Sequence, residues 1–302
     1  FLISHKKEFE ELKTPSIRPQ TSKIRAIRTT NKDNHCIGSR PFLTPPILAQ
    51  KQVFFNKVAK FYHESLLNNS NMLNYLMSKR KITLETIQTF KIGYSDKNNN
   101  KLLKLFREEN KEHLLLFDLI KYNQKQNFYY DSLTDGFVLP VFHHETSDIK
   151  HLYKYNYQAI TPFNPKYKAL INQNPDSIFY YPYGFFQAQQ TILETQTMII
   201  HEGFFDVISC HQNDIKNVVG LITIKSYLSK SMVDFLKTNH ITVIIGLDDD
   251  ESGLINSLRL KQQLDNENIP NIIKQIPSHY PFKDADDLLR NDNSNLYKKI
   301  YC

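Results

Sequence analysis

Apolar residues change their spacing along this chain, and each change predicts a different kind of element. From Val53 to Leu76 the residues Phe54, Val58, Phe61, Leu66, Leu67, Leu73 and Leu76 recur at helical intervals. The turn-forming run Asn68-Asn69-Ser70-Asn71 interrupts them, so two helices are expected. Thr83, an N-cap type, opens a third helix that ends near Phe90, ahead of a turn at Gly93. Beyond the 98–100 loop, Leu102–Phe106 and Leu114–Leu119 carry short helical runs. The period then drops to two, and Gly136–Phe142 with His151–Tyr155 predicts a β-hairpin turning at Glu145–Asp148. From Thr191 onward, strands at Met198–Ile200, Asn217–Val219, Ile241–Ile245 and Asn271–Lys274 alternate with helices at Phe204–Gln212, Ser229–Lys237, Leu254–Leu264 and after Asp284. Such alternation means βαβ units on a parallel sheet, whose ligands bind at the carboxyl ends of the strands. The expected fold class is α/β, with a mixed α+β subdomain preceding a Rossmann-like parallel sheet.

Residues 14–46 follow neither period and contain Pro15, Pro19, Pro41, Pro45 and Pro46 among scattered basic residues. The expected organisation is a basic linker or tail over 1–50, a mixed subdomain over 51–190 and a parallel-sheet domain over 191–302. A length of 302 residues fits about two domains. No apolar run reaches the roughly 18 residues needed to span a bilayer, and no signal-peptide pattern opens the chain, so a soluble intracellular protein is expected. Residue 1 is Phe rather than Met, as in a fragment or processed form. The cysteines Cys36, Cys210 and Cys302 lie too far apart for a zinc ribbon.

Charge sharpens the division. The net charge is +7, but residues 1–50 carry nine basic and four acidic groups, residues 51–190 eighteen and twelve, and residues 191–302 eleven and fifteen. A basic region could hold phosphates, and an acidic one divalent cations. The carboxylates sit where a parallel sheet places its site: Glu202 after the first strand of the third region, Asp248, Asp249 and Asp250 after the third strand, and Asp284, Asp286 and Asp287 after the fourth. Carboxylates gathered at one sheet edge repel one another, and the oxygen-only donor set suits Mg2+ or Mn2+.

These residues carry a family resemblance. His201-Glu202-Gly203-Phe204-Phe205-Asp206-Val207, Asp248-Asp249-Asp250-Glu251-Ser252-Gly253 and Lys283-Asp284-Ala285-Asp286-Asp287-Leu288-Leu289 resemble the three signature stretches of the TOPRIM domain in DnaG-type bacterial primases. Gly220-Leu221-Ile222-Thr223 is similar to the family's Ser-Leu-Gly-Thr turn, with Ile222 in place of Gly. Upstream, Tyr75-Leu76 with Lys79-Arg80, Phe90-Lys91-Ile92-Gly93-Tyr94, the strand Phe137–Phe142 and Pro165-Lys166-Tyr167 resemble the subdomain that precedes TOPRIM. The chain departs from the pattern in several places. Leu133-Thr134-Asp135-Gly136 replaces arginines, Tyr181-Pro182-Tyr183-Gly184 replaces a Lys-Gly, Lys81 stands where an Arg-Gly pair ends, and Asp249 replaces the Gly of Asp-Gly-Asp.

The resemblance implies a DNA-directed RNA polymerase that makes short primers for replication by a two-metal mechanism. It implies two Mg2+ or Mn2+ ions on Glu202, Asp248, Asp250, Asp284 and Asp286, with Glu202, Asp248 and Asp250 catalytic and no zinc in this chain. Asp206 is expected to cap or orient the segment after Glu202. The implied partners are a single-stranded DNA template, ribonucleoside triphosphates and a replicative helicase reached through a module outside these residues, all in the cytoplasm at the replication fork and none at a membrane. Lys79, Arg80 and Lys81 are either a solvated helix end or phosphate contacts. Lys154, between Tyr153 and Tyr155, and Lys166 and Lys168, in a Pro-bounded loop, are further nucleic-acid or nucleotide candidates, although Tyr153, Tyr155 and Tyr157 also suit half-buried sheet packing. His143 and His144 have no metal-ligand partner at readable spacing and are expected to be surface or packing residues. Other readings are a TOPRIM nuclease, a catalytically weakened nucleic-acid-binding module, or a haloacid-dehalogenase-type phosphatase built on Asp248 and Asp250. The phosphatase would leave Glu202-Gly203 without a role, and a topoisomerase would need a much larger chain.

Overall fold

Helix α1 (Pro45–Leu67) stops at the asparagine run, and Asn69 starts helix α2 (Ser70–Lys79) by accepting a hydrogen bond from the Met72 N–H at 3.2 Å. The computed structural model describes residues 45–98, 100–109, 111–158, 161, 165–170, 181–222 and 227–302. The tail expected over 1–50 therefore lies outside the described residues as far as position 44, and from Pro45 the chain is helical. Proline suits a helical first turn because its missing N–H would have no acceptor there.

Thr83 caps α3 (Leu84–Thr89), as its type predicted. Gly93 does not turn the chain but opens β1 (Gly93–Ser95), where it touches α1: a Cβ there would come within 2.7 Å of the Tyr62 backbone. Two short helices, α4 (Lys101–Leu105) and α5 (Lys111–Leu116), lead to an unforeseen hairpin of β2 (Ile120–Asn123) and β3 (Phe128–Asp131). The foreseen hairpin is present as β4 (Gly136–Phe142) and β5 (Ile149–Tyr155). With β6 (Tyr167–Ala169) they form an antiparallel sheet in the order β1-β4-β5-β6.

The second sheet follows α6 (Phe185–Thr195), which spans position 190. Its elements are β7 (Thr197–His201), α7 (Phe204–Gln212), β8 (Val218–Gly220), α8 (Lys230–Thr238), β9 (Thr242–Ile245), α9 (Glu251–Asn266) and β10 (Asn271–Ile273). The short helices α10 (Ala285–Arg290) and α11 (Ser294–Tyr301) close it. All pairings are parallel, in the order β10-β9-β7-β8. The chain runs from β7 to β8 on one side and returns to β9 on the other, so the strand order reverses between β7 and β9. The crevice at their carboxyl ends is the topological switch point.

Helix α7 joins the two sheets. Eight of its nine residues are buried, as befits a helix apolar on more than one face. Its Phe204 and Phe205 rings pack on Tyr153 at 5.0 Å and Tyr155 at 4.8 Å. These tyrosines are core residues, so the packing expectation for that face of β5 holds. One apolar cluster thus runs from Phe137 through α7 to Leu288 and Tyr297, within a single compact unit over residues 43–302.

Below the switch point, His201 ties β7 to the turn after β9 and to α11. A carbonyl only accepts, so the ring Nδ1–H donates to the Gly246 oxygen at 2.5 Å and Nε2 accepts from the Tyr297 hydroxyl at 2.6 Å. Burial lowers this imidazole from 6.5 to about 4, so it is neutral in the folded protein at pH 7. The unfolded chain takes up that proton below about pH 6.5, whereas the folded chain resists until about pH 4. The His201 contribution is therefore complete above pH 6.5 and is lost as the pH falls toward 4. His201→Gln is expected to flatten the loss of stability across that window, measured by urea denaturation at each pH. Parallel curves for parent and variant would refute the assignment.

Gly253, in the first turn of α9, abuts the loop that carries the acidic run. A Cβ there would lie 2.0 Å from the Asp248 carbonyl oxygen and 2.8 Å from its carbon. The obstacle is backbone, so Gly253→Ala is expected to cost about 1–3 kcal/mol by overpacking and to displace Asp248. Ser252→Ala, one residue earlier and exposed, should stay within about 0.5 kcal/mol in the same thermal unfolding experiment.

Candidate active site

Two adjacent strand ends supply the central carboxylates. Ile200 on β7 pairs with Ile245 on β9, which brings Glu202 and Asp248 to the same edge of the sheet. Burial is the main reason that the Asp248 carboxyl is pushed up to about 6, and Glu202, Asp284 and Asp250 add to it by repulsion. Glu202 is raised as well, first by burial and then by Asp250, while the Asp248 backbone N–H and Lys166 act in the opposite direction. Its Oε2 is buried without a hydrogen-bond partner.

Helix starts position the other acids. Asp250 caps α9, its Oδ1 accepting from the Gly253 N–H at 2.7 Å, and Asp284 caps α10 by accepting from the Asp287 N–H at 2.7 Å. Asp206 orients the segment after Glu202, as expected: Oδ2 accepts from the Gly203 N–H at 3.0 Å and Oδ1 from the Asp286 N–H at 2.9 Å. Burial, followed by Asp284, pushes its carboxyl up to about 8.

The expectation grouped Asp286 with Asp284 as a ligand, but the structure gives Asp286 other partners. Its Oδ2 accepts from Arg80 Nη1 at 2.9 Å and Arg290 Nε at 3.0 Å, and its Oδ1 from the Ser209 hydroxyl at 2.6 Å. Arg80, a phosphate candidate in the sequence, stacks its guanidinium 4.0 Å from the Phe205 ring centroid and donates to the Tyr155 hydroxyl at 3.0 Å. Lys79 and Lys81 are exposed, and Lys81 lies 3.7 Å from Asp292. Lys81 has φ +52° where the family pattern ends in Gly, a conformation that glycine would adopt without strain. Asp249 fills another glycine position of the pattern, and it is exposed and outside the left-handed region.

A groove of about 510 Å³ runs past Glu202, Asp248 and Asp284, with Arg80 and Lys166 on its lining. Lys283 and Arg290 line it too. Lys283 opens the third signature stretch but was not among the nucleotide-binding candidates, and Arg290, on the other flank of the acidic run, was not singled out. Lys154 and Lys168 are register partners on β5 and β6. Their ammonium groups donate to the Thr134 and Ser132 carbonyls at 3.0 and 3.4 Å. His143 and His144 stack beside Tyr181, a packing role as expected.

The donor chemistry fits a hard divalent cation, with oxygen ligands only, mutual repulsion and one orphaned carboxylate oxygen. Among the described residues no three Asp, Glu, His or Cys side chains are gathered closely enough to hold a metal ion. A cation here would need water or substrate oxygens in its shell, as Mg2+ commonly does.

Residues 61–151 match the family described as DNA primase catalytic core, N-terminal domain, and residues 199–289 match the Toprim-like family. The DNA primase of Synechocystis sp. is 26% identical over 257 residues, covering 80% of this chain and 38% of that protein. The DNA primase of Clostridium acetobutylicum is 25% identical over 246 residues, covering 81% and 39%. The chain thus spans about two fifths of the length of these relatives. Among solved structures, a DnaG primase catalytic domain bound to ssDNA superposes with a TM-score of 0.71 at 19% identity over 85% of this chain and 79% of that one. The zinc-binding and RNA polymerase domains of the Aquifex aeolicus primase give 0.69 at 21% identity, over 83% and 60%. The fold is that of primase catalytic cores, and a match to the primase-core N-terminal family over 61–151 followed by a Toprim-like match over 199–289 supports a DnaG-type primase core with a TOPRIM domain.

Proposed function

We propose that this chain is the nucleotidyl-transfer core of a primase, joining ribonucleotides on a single-stranded DNA template. The observation that carries this reading is the uncompensated pair Glu202 and Asp248 at the switch point, facing Lys166 across the groove. Asp248 and Glu202, with Asp284 and the second oxygen of Asp250, would hold Mg2+ or Mn2+. Bound cations would supply activation of the attacking 3′-oxygen and charge stabilisation of the leaving pyrophosphate. Lys166 and Lys283 place positive charge where a triphosphate would lie, and Glu202 is the residue to hold a cation or accept the hydroxyl proton. The solved relative bound to ssDNA supports a single-stranded template.

The basic wall is assigned to the elements from α1 to β6 and the acidic wall to those from β7 to α11. Lys79, Lys81 and Lys168 are assigned to the path of the template beyond the groove, whereas Lys154 is buried with its ammonium on the Thr134 carbonyl and is left out of that path. A replicative helicase would be met through a module outside this chain, and the place of action is the cytoplasm, where a replicating template lies. No helix among the described residues is long and apolar enough to cross a membrane.

Incubation with single-stranded DNA, labelled ribonucleoside triphosphates and Mn2+ or Mg2+ is expected to yield primer-length RNA. Shortened DNA would instead indicate a nuclease, and unchanged DNA with no RNA would indicate a binding module. Asp248→Asn is expected to lower product formation at least about 100-fold, roughly 2.7 kcal/mol of barrier. Its thermal stability should hold or rise, because one charge leaves a crowded cluster. Parent-like Mn2+ binding and turnover in Asp248→Asn would end the metal-site reading.

A further inference from the structure

The partners of Arg80 and Asp286 assign these residues a task different from substrate or metal binding. Arg80 ends α2, in the half that carries the basic wall, whereas Asp286 begins α10 in the half that carries the carboxylates, 206 positions later. The guanidinium is held on two edges and one face: Nη1 on Asp286, Nη2 on the Tyr155 hydroxyl, and its plane over Phe205. Asp286 is only 4% exposed and has no free oxygen, since Arg290 and Ser209 complete its shell. From this pair two connections reach the site. Asp284 lies two residues upstream, and the Asp286 N–H donates to Asp206, whose other oxygen accepts from Gly203, the residue after Glu202.

We infer that Arg80 and Asp286 are a positioning pair that fixes the separation between the basic wall and the carboxylates. Neither serves as a phosphate contact or a metal ligand. Recruiting Arg80 to a phosphate would strip a buried carboxylate of one of its cations, and recruiting Asp286 to a metal would strip two arginines of their shared acceptor; both leave uncompensated buried charge. The expected effect on turnover rests on the proposed nucleotidyl transfer, but the pairing itself does not.

The test is a double-mutant cycle with Arg80→Met, Asp286→Asn and the combined variant. Its readouts are urea denaturation, kcat and KM for primer extension below the unfolding range, Mn2+ affinity by titration, and the salt dependence of single-stranded DNA binding. Each single variant should lower kcat about tenfold with little change in nucleotide KM, and the combination should be no worse than the poorer single variant. Mn2+ affinity and the salt slope should match the parent. Arg80→Lys, which keeps the charge but loses the planar fork and the stacking, should fold and still lose kcat. Three results would overturn the inference: additive losses in the cycle, weaker Mn2+ binding confined to Asp286→Asn, or a salt slope reduced by about 0.7 in Arg80→Met alone, the value of one single-strand phosphate contact. If the parent transfers no nucleotide, the functional reading fails, while denaturation and Mn2+ titration still decide the pairing.

Discussion

Repulsion among carboxylates at the switch point between β7 and β9 is the constraint that the surrounding structure answers. Glu202, Asp206, Asp248, Asp250, Asp284 and Asp286 arrive there from three separate stretches of sequence. Helix starts absorb part of the charge. Asp250 and Asp284 each give one oxygen to a cap, and Asp206 spends both oxygens on backbone N–H groups. A cap contributes about 1 kcal/mol, and the helix dipole favours a nearby anion by about 0.3–1 kcal/mol. Two arginines absorb Asp286. What remains is Glu202, with an orphaned oxygen, and Asp248, with its raised carboxyl. The fold neutralises the periphery of the cluster and leaves its centre uncompensated, which is the arrangement a cation site requires.

Holding such a centre demands a rigid frame, and close approaches supply it. Gly253 lets α9 rest on the Asp248 carbonyl. Gly246 admits both the His201 and Tyr301 rings, which a Cβ would meet at 2.9 and 2.6 Å. The imidazole of His201 then stitches β7 to the turn after β9 immediately beneath Glu202 and Asp248. On the other side, α7 buries aromatic residues against the antiparallel sheet, so the two halves share one core rather than a hinge.

How much of this the chain discloses depends on whether the signal is local. Strands β7 and β9 were legible from runs of Ile and Val, and the α3 cap from Thr83, an N-cap type before its helix; Ser229, Asp250 and Asp284 cap α8, α9 and α10 in the structure, a role the sequence did not assign them. The hairpin of β2 and β3 was not legible: Tyr122 is exposed and Lys121 stands beside it, so neither strand shows an apolar alternation. Helix α6 escaped because Phe185-Phe186 opens it without a side-chain cap. In the site, positions after strands revealed Glu202 and Asp248. The fate of Asp286 could not be read, since nothing near it in sequence announces an arginine 206 positions away. Lys79-Arg80-Lys81 shows the same limit: three adjacent cations look alike as text, yet the middle one is drawn inward by Phe205 and Asp286.

The regional charge split gives only a coarse account of the groove. Residues 51–190 are basic and 191–302 acidic, but the cations lining the groove come from both: Arg80 and Lys166 from the first, Lys283 and Arg290 from the second. Both arginines are committed to Asp286, which leaves the two lysines to act on the central acids. Lys166 lowers Glu202, and Lys283 lowers Asp248, yet each is outweighed by burial. An ammonium on a flexible stem can offset a carboxylate at a distance without occupying its oxygens. Each lysine therefore offsets its acid electrostatically without closing off the acid's oxygens. Swapping either lysine for a paired arginine would satisfy the acid and close its oxygens, as Arg80 and Arg290 do for Asp286.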